Sequence, residues 1–202
     1  MKRWVWIGVD LGQRRDYSAI AVVERFWEQS TFNDFLRSGL DGQWWFRVRM
    51  LERIRRMTPY PEVVRRVREI SDMPMIAMGR TVVVDGTGVG APVVDLLRRG
   101  GWGCQIVPVL ITGGGRASMG LRGGYESVSR SELLTGMQVL VQQGRLKVAS
   151  RSREAEVLRK EMLEVRLNSS DSGGAGHDDM VIAVALALWK ARVGISVELV
   201  RR

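Results

Sequence analysis

Residues 177–193, HDDMVIAVALALWKARV, are apolar nearly all round, yet they open on two aspartates. A helix without a polar face has to be covered on every side, so this segment is expected to lie buried against a sheet. Strands for such a sheet are legible upstream. The run WVWIGV at 4–9 ends in Asp10, and the β-branched run YSAIAVVE at 17–24 follows the glycine-containing turn LGQRRD, which together predict a hairpin. After a polar stretch at 28–42, WWFRVRMLERI alternates apolar and basic residues, as a third strand with one exposed side would.

The pattern then changes. PEVVRRVREIS at 61–71 starts with proline and places Val63, Val64, Val67 and Ile70 on one face of an amphipathic helix. TVVVD at 81–85 is too short for a helix, is followed by GTGVG, and reads as a buried parallel strand. A short helix at 91–99, stopped by Gly100-Gly101, leads to a fifth strand at 104–110. ITGGGRASMGLRGGYES, with six glycines, reads as a loop. Helices follow from Ser129 and over SREAEVLRKEMLEVRL, joined by GRLKVA, before the glycine-rich NSSDSGGAG and the last helix. The expected class is α/β: one mixed five-stranded sheet, three antiparallel strands then two parallel, flanked by helices. Its 202 residues suit a single domain, 1–202.

Charge narrows the partners. The chain has 31 Lys+Arg against 22 Asp+Glu, a formal +9, and Lys2, Lys147, Lys160 and Lys190 are the only lysines. Arginine forks match phosphate oxygens in bidentate geometry, so an arginine-dominated excess favours a polyanion such as nucleic acid. The single cysteine, Cys104, excludes an internal disulfide and a cysteine-rich zinc site, and fits a reducing cytoplasm. No signal peptide or membrane span is apparent.

The carboxylates carry the chemistry. Asp10 ends the first strand, and Asp85 ends the first strand after a helix. A right-handed crossover would lay those strands side by side in parallel, bringing both acids to one sheet edge. The third acid comes from the Asp178-Asp179 pair that opens the last helix. Each alone has a structural role open to it: a turn for Asp10, an Asx turn for Asp85, an N-cap for Asp178. Together they form the constellation that two-metal phosphodiester hydrolysis needs, with two Mg²⁺ or Mn²⁺ ions activating water and stabilising the leaving 3′ oxygen. Asp16 and His177 are accessory candidates, Asp16 with a hairpin role equally open to it, and Glu161 reads as a solvated helix charge. Phosphate contacts are expected from Arg116 and Arg122 in the glycine-rich loop and from Arg130 at the head of the next helix.

These segments resemble a known family. GVDLGQRRDYSAIAVVE, YPEVVRRVREI, VVVDGTGVGAPVVDLL, VSRSELL with GRLKVA, and HDDMVIAVALALW, in that order, are similar to the nuclease domain of phage terminase large subunits, within the RNase H-like or RuvC-like superfamily. The resemblance spans most of the chain. It implies that Asp10, Asp85 and Asp179 are metal ligands with Asp178 contributing closely, and that the product is cut double-stranded, viral concatemeric DNA. Full terminases carry an ATPase motor, whereas no G-x-x-x-x-G-K-[ST] motif occurs here and GTGVGAP lacks the lysine. Either this is an excised or separately encoded nuclease domain, or it works with a partner motor such as a separate packaging ATPase or portal, in a bacterial host cytoplasm. Two rivals share the sheet: a RuvC-type Holliday-junction resolvase using the same acids, and an actin-like ATPase-fold nucleotide-binding module. The latter needs two such domains around its nucleotide.

Overall fold

A computed structural model describes residues 4–12, 16–39, 42–76, 79–88, 91–113, 124–149, 152–167 and 178–200. Strand β1 (Trp4–Asp10) turns back into β2 (Ser18–Gln29), and a short helix α1 (Phe32–Ser38) leads to β3 (Gly42–Ile54). Helix α2 (Tyr60–Ser71), β4 (Arg80–Asp85), α3 (Ala91–Arg99) and β5 (Gln105–Thr112) follow. The rest comprises β6 (Glu126–Ser129), α4 (Arg130–Gln142), β7 (Leu146–Val148), α5 (Arg153–Leu167) and α6 (Asp179–Val200).

All the described strands join one sheet in the order β6-β5-β4-β1-β2-β3-β7. β1 pairs antiparallel with β2, and β2 with β3, while β4 lies parallel beside β1, β5 beside β4, and β6 beside β5. The class and the antiparallel-then-parallel order are those expected from the sequence. The strand count is not five but seven. β6 has four residues at the end of the glycine-rich stretch, and β7 has three within GRLKVA, so neither is long enough to show a two-residue period. Each is an edge strand specified by its neighbour. The polar stretch at 28–42 is also partly ordered, with β2 running to Gln29 and α1 following.

The sheet is covered on both faces. On one side Val5, Ile7, Val9, Ile20, Val22, Val82 and Val84 pack with α2 and α3 through Val63, Val67, Val94 and Leu97. On the other, Trp6, Ala19, Ala21, Val23 and Val83 pack with α4, α5 and above all α6, whose side chains from Met180 to Trp189 are all buried. Small residues on this second face let the apolar helix settle close to the strands. No helix among the described residues is long and apolar enough to cross a membrane.

Candidate active site

The alternation of a strand decides where the acids point. Trp6 faces α6, so two-residue spacing sends Gly8 and Asp10 to the same face, and Val83 does the same for Asp85. β1 and β4 are parallel with Val9 opposite Val84, so Asp10 and Asp85 are one step beyond that pair on adjacent strand ends. From α6, Ala183 and Ala187 rest on Gly8, where a Cβ would stand 1.9 Å from the Ala183 carbonyl oxygen. Two residues up the strand, about 6–7 Å, lies Asp10; one turn back along the helix, about 6 Å, lies Asp179. The close approach at Gly8 therefore brings Asp179 over the strand ends.

The electrostatics follow from that crowding. Burial, then the charges of Asp85 and Asp179, hold the Asp10 carboxyl well above its ordinary value; Arg130 opposes this, and Asp16 adds to it. Burial also raises Asp85, against hydrogen bonds from Thr87 that favour its charged form. The backbone N–H of Thr87 donates to Asp85 Oδ1 at 2.7 Å, so the Asx turn open to Asp85 in the sequence does form. It holds the carboxylate at the strand end rather than competing with a site role.

Among the described residues, no group of three or more carboxylate, imidazole or thiol side chains is gathered closely enough to enclose an ion as it stands. Arg53 Nη2 lies 3.5 Å from Asp179 Oδ2. The donor set nevertheless fits a hard divalent cation. Its donors are all carboxylates, and Asp10, buried beside the charges of Asp85 and Asp179, is a group that a cation would relieve.

The other sequence-predicted residues divide. Asp178 is bonded by Arg130 Nη2 across the start of α6. Arg130 heads α4 behind Ser129, which caps that helix by accepting from Glu132 N–H at 3.1 Å. Asp16 is exposed, though its charge reaches Asp10. His177, Arg116 and Arg122 lie outside the described residues. Glu161 requires correction: it is not a solvated helix charge but is 4% exposed. Its Oε2 accepts from the N–H groups of Met180 and Val181 at 3.0 and 3.2 Å, and its Oε1 is bonded by Arg53. The signal for this is present in α5, where Glu161 interrupts the apolar stripe of Val157, Leu158, Met162 and Val165. Arg53, absent from the sequence reading, also packs over Tyr17 at 4.8 Å.

No protein-family model matches the sequence, and no curated protein matches it either. Solved structures do. The large terminase nuclease of the thermophilic phage G20c matches with a TM-score of 0.57 and 21% identity, over 93% of this chain and 82% of that one. The human cytomegalovirus terminase nuclease domain soaked with Mn matches with a TM-score of 0.54 and 11% identity, over 91% and 81%. The same domain soaked with Mn and bound to an inhibitor gives 0.51 and 12%, over 92% and 83%. With a mixed seven-stranded sheet and a buried final helix, this chain has the fold of the terminase nuclease domains, an RNase H-like architecture.

Proposed function

We propose that residues 1–202 form one nuclease unit that hydrolyses the phosphodiester bonds of double-stranded DNA by a two-metal mechanism, as a terminase-type endonuclease cutting concatemeric viral DNA during packaging. The observation that carries this reading is that Asp10, Asp85 and Asp179 face the α6 side of one sheet edge, where burial and then the charges of Asp85 and Asp179 raise the Asp10 carboxyl. That the cytomegalovirus domain was studied with Mn supports the choice of ion.

Asp10, Asp85 and Asp179 would hold two Mg²⁺ or Mn²⁺ ions, with Asp178 beside them. When bound, the ions supply water activation and neutralise charge at the leaving 3′ oxygen. The chain supplies the rest. Thr87 fixes the Asp85 carboxylate, and Arg130 tethers Asp178 and places a positive charge near Asp10. His177, next to Asp178 in sequence, would contact the scissile phosphate or carry a proton, and Asp16 would add acid charge at the rim. Arg116, Arg122 and Arg130 would grip the DNA backbone, and a separate packaging ATPase or portal would bring the duplex to the edge.

The test is cleavage of supercoiled plasmid by the purified chain in EDTA, Mg²⁺ or Mn²⁺, beside Asp85→Ala. Metal-dependent nicking and linearisation, absent in EDTA and in the variant, are expected. Failure to cut any DNA with either metal would overturn the proposal, and cleavage confined to four-way junctions would reassign the site to a junction resolvase.

Arg130→Ala is expected to weaken duplex binding to a similar degree for all sequences and to reduce the slope of log affinity against log salt by about one. Titrations at several salt concentrations check this. An unchanged slope would remove Arg130 from the DNA-contacting set.

A further inference from the structure

A β-bulge sets the charge that faces the acids. β3 pairs Val48 with Val23 but Met50 with Val22, so Arg49 is an extra residue and the faces change parity there. Before the bulge Phe46 and Val48 face α6; after it Leu51 does, and Arg53 stands opposite Ala19, itself opposite Asp10. In a regular ladder, with Arg49 paired to Val22, Glu52 would take that place and add a further carboxylate beside the acids. Glu52 instead points to the other face, where Arg66 grips both its oxygens at 2.8–3.1 Å.

Arg53 bonds Glu161, whose second oxygen holds the first turn of α6, and the same Nη2 reaches 3.5 Å from Asp179 Oδ2. Its guanidinium is steadied on the Tyr17 ring and is largely sheltered from solvent. We propose that Arg53, aimed by the bulge and anchored by Glu161, is a positioning residue that holds the Asp179 carboxylate in the orientation that receives a metal ion. The proposal rests on the metal-nuclease reading of the same site. Arg53 touches neither substrate nor ion; it acts through Asp179. Tyr17 and the Glu161 bond limit how far its guanidinium moves, so the carboxylate it faces is oriented before an ion arrives.

The experiment measures Mn²⁺ affinity by calorimetry, alongside kcat and KM for plasmid cleavage, in the full chain and in the double variant Arg53→Met with Glu161→Gln. Removing both charges avoids leaving Glu161 as a lone buried ion, and the glutamine oxygen still accepts from the N–H groups that start α6. Net charge is unchanged, and a cation 3.5 Å from the Asp179 carboxylate competes with a metal ion for it, so the loss of Arg53 as a mere competitor would tighten metal binding. The positioning role gives the opposite sign: Mn²⁺ affinity and kcat lower by about 10- to 100-fold, the scale seen when outer partners of metal ligands are lost, with KM little changed. Arg53→Lys with Glu161 intact recovers part of both.

Affinity and kcat within twofold of the parent would leave the pair a purely structural ion pair and overturn the proposal. Tighter Mn²⁺ binding would overturn it in favour of Arg53 as a competitor for Asp179. If the parent chain itself binds no Mn²⁺ and cuts nothing, the nuclease reading falls and the proposal with it, so the two failures are told apart by the parent alone. A double variant that does not fold is replaced by Arg53→Lys, for which parental affinity and kcat overturn the proposal.

Discussion

Asp10→Asn and Asp179→Asn are each expected to slow plasmid cleavage by roughly 10³-fold or more, because a lost ligand removes several kcal/mol of charge stabilisation and each 1.4 kcal/mol is about tenfold in rate. Asparagine keeps the shape and one carbonyl oxygen but removes the charge that binds the ion. Stability moves the other way at Asp10. Its folded value lies above the ordinary one, chiefly through burial and then through Asp85 and Asp179. Between the unfolded and folded values the folded chain therefore binds more protons than the unfolded chain. The resulting stabilisation is present at low pH and is lost as pH rises through the folded value, leaving a net cost at neutral pH. A neutral amide in place of the carboxylate carries no such cost, so the Asp10→Asn chain should melt above the parent in EDTA at neutral pH, and that gain should vanish in acid. Excess Mg²⁺ should raise the parent's Tm by linkage and leave the variant nearly unmoved. Retained cutting by either variant would sink the metal assignment, and an Asp10→Asn chain less stable in EDTA would sink the electrostatic account.

Much of this site is legible in the sequence because its parts sit at places that local patterns mark. Apolar runs that stop at Asp10 and Asp85 announce strand ends, and an all-apolar segment opening on Asp178-Asp179 announces a buried helix whose start is fixed by that burial. The order of elements then needs only parallel pairing of two strands to bring the acids together. What is not legible depends on parity and on distant partners. Arg53 looks like one more exposed basic residue in WWFRVRMLERI until the bulge at Arg49 turns it inward, and a single extra residue in a ladder leaves no mark in composition. Glu161 reads as solvated by its type rather than by its position; a charged residue on an apolar stripe needs a buried partner, and that partner lies 108 residues away. The two edge strands escape for a simpler reason. Their conformation is imposed by β5 and β3, and runs this short carry no period of their own.

The largest loss of stability is expected at a glycine that no acid touches. On Gly8 of β1 an added Cβ would meet the Ala183 carbonyl oxygen at 1.9 Å, with Ala183 C and Ala187 N both at 3.0 Å. These are helix backbone atoms, which no side-chain rotation can clear. β1 cannot retreat either, since it is hydrogen-bonded to β2 on one side and β4 on the other. Gly8→Ala therefore has to lift α6 from the sheet, undoing packing along its buried face, at a cost of about 3 kcal/mol or more. For a chain of this size that lowers Tm by roughly 6–12 °C. Gly113→Ala, whose Cβ would meet nothing within 4 Å, is the control and should stay within about 0.5 kcal/mol of the parent. The same displacement moves Asp179 away from Asp10, so the fraction of Gly8→Ala chain that remains folded at low temperature should cut more slowly than the parent, with weaker Mn²⁺ binding. A Gly8→Ala chain that melts with the parent would mean that α6 does not approach β1 this closely, and the geometric basis for bringing Asp179 to the strand ends would go with it.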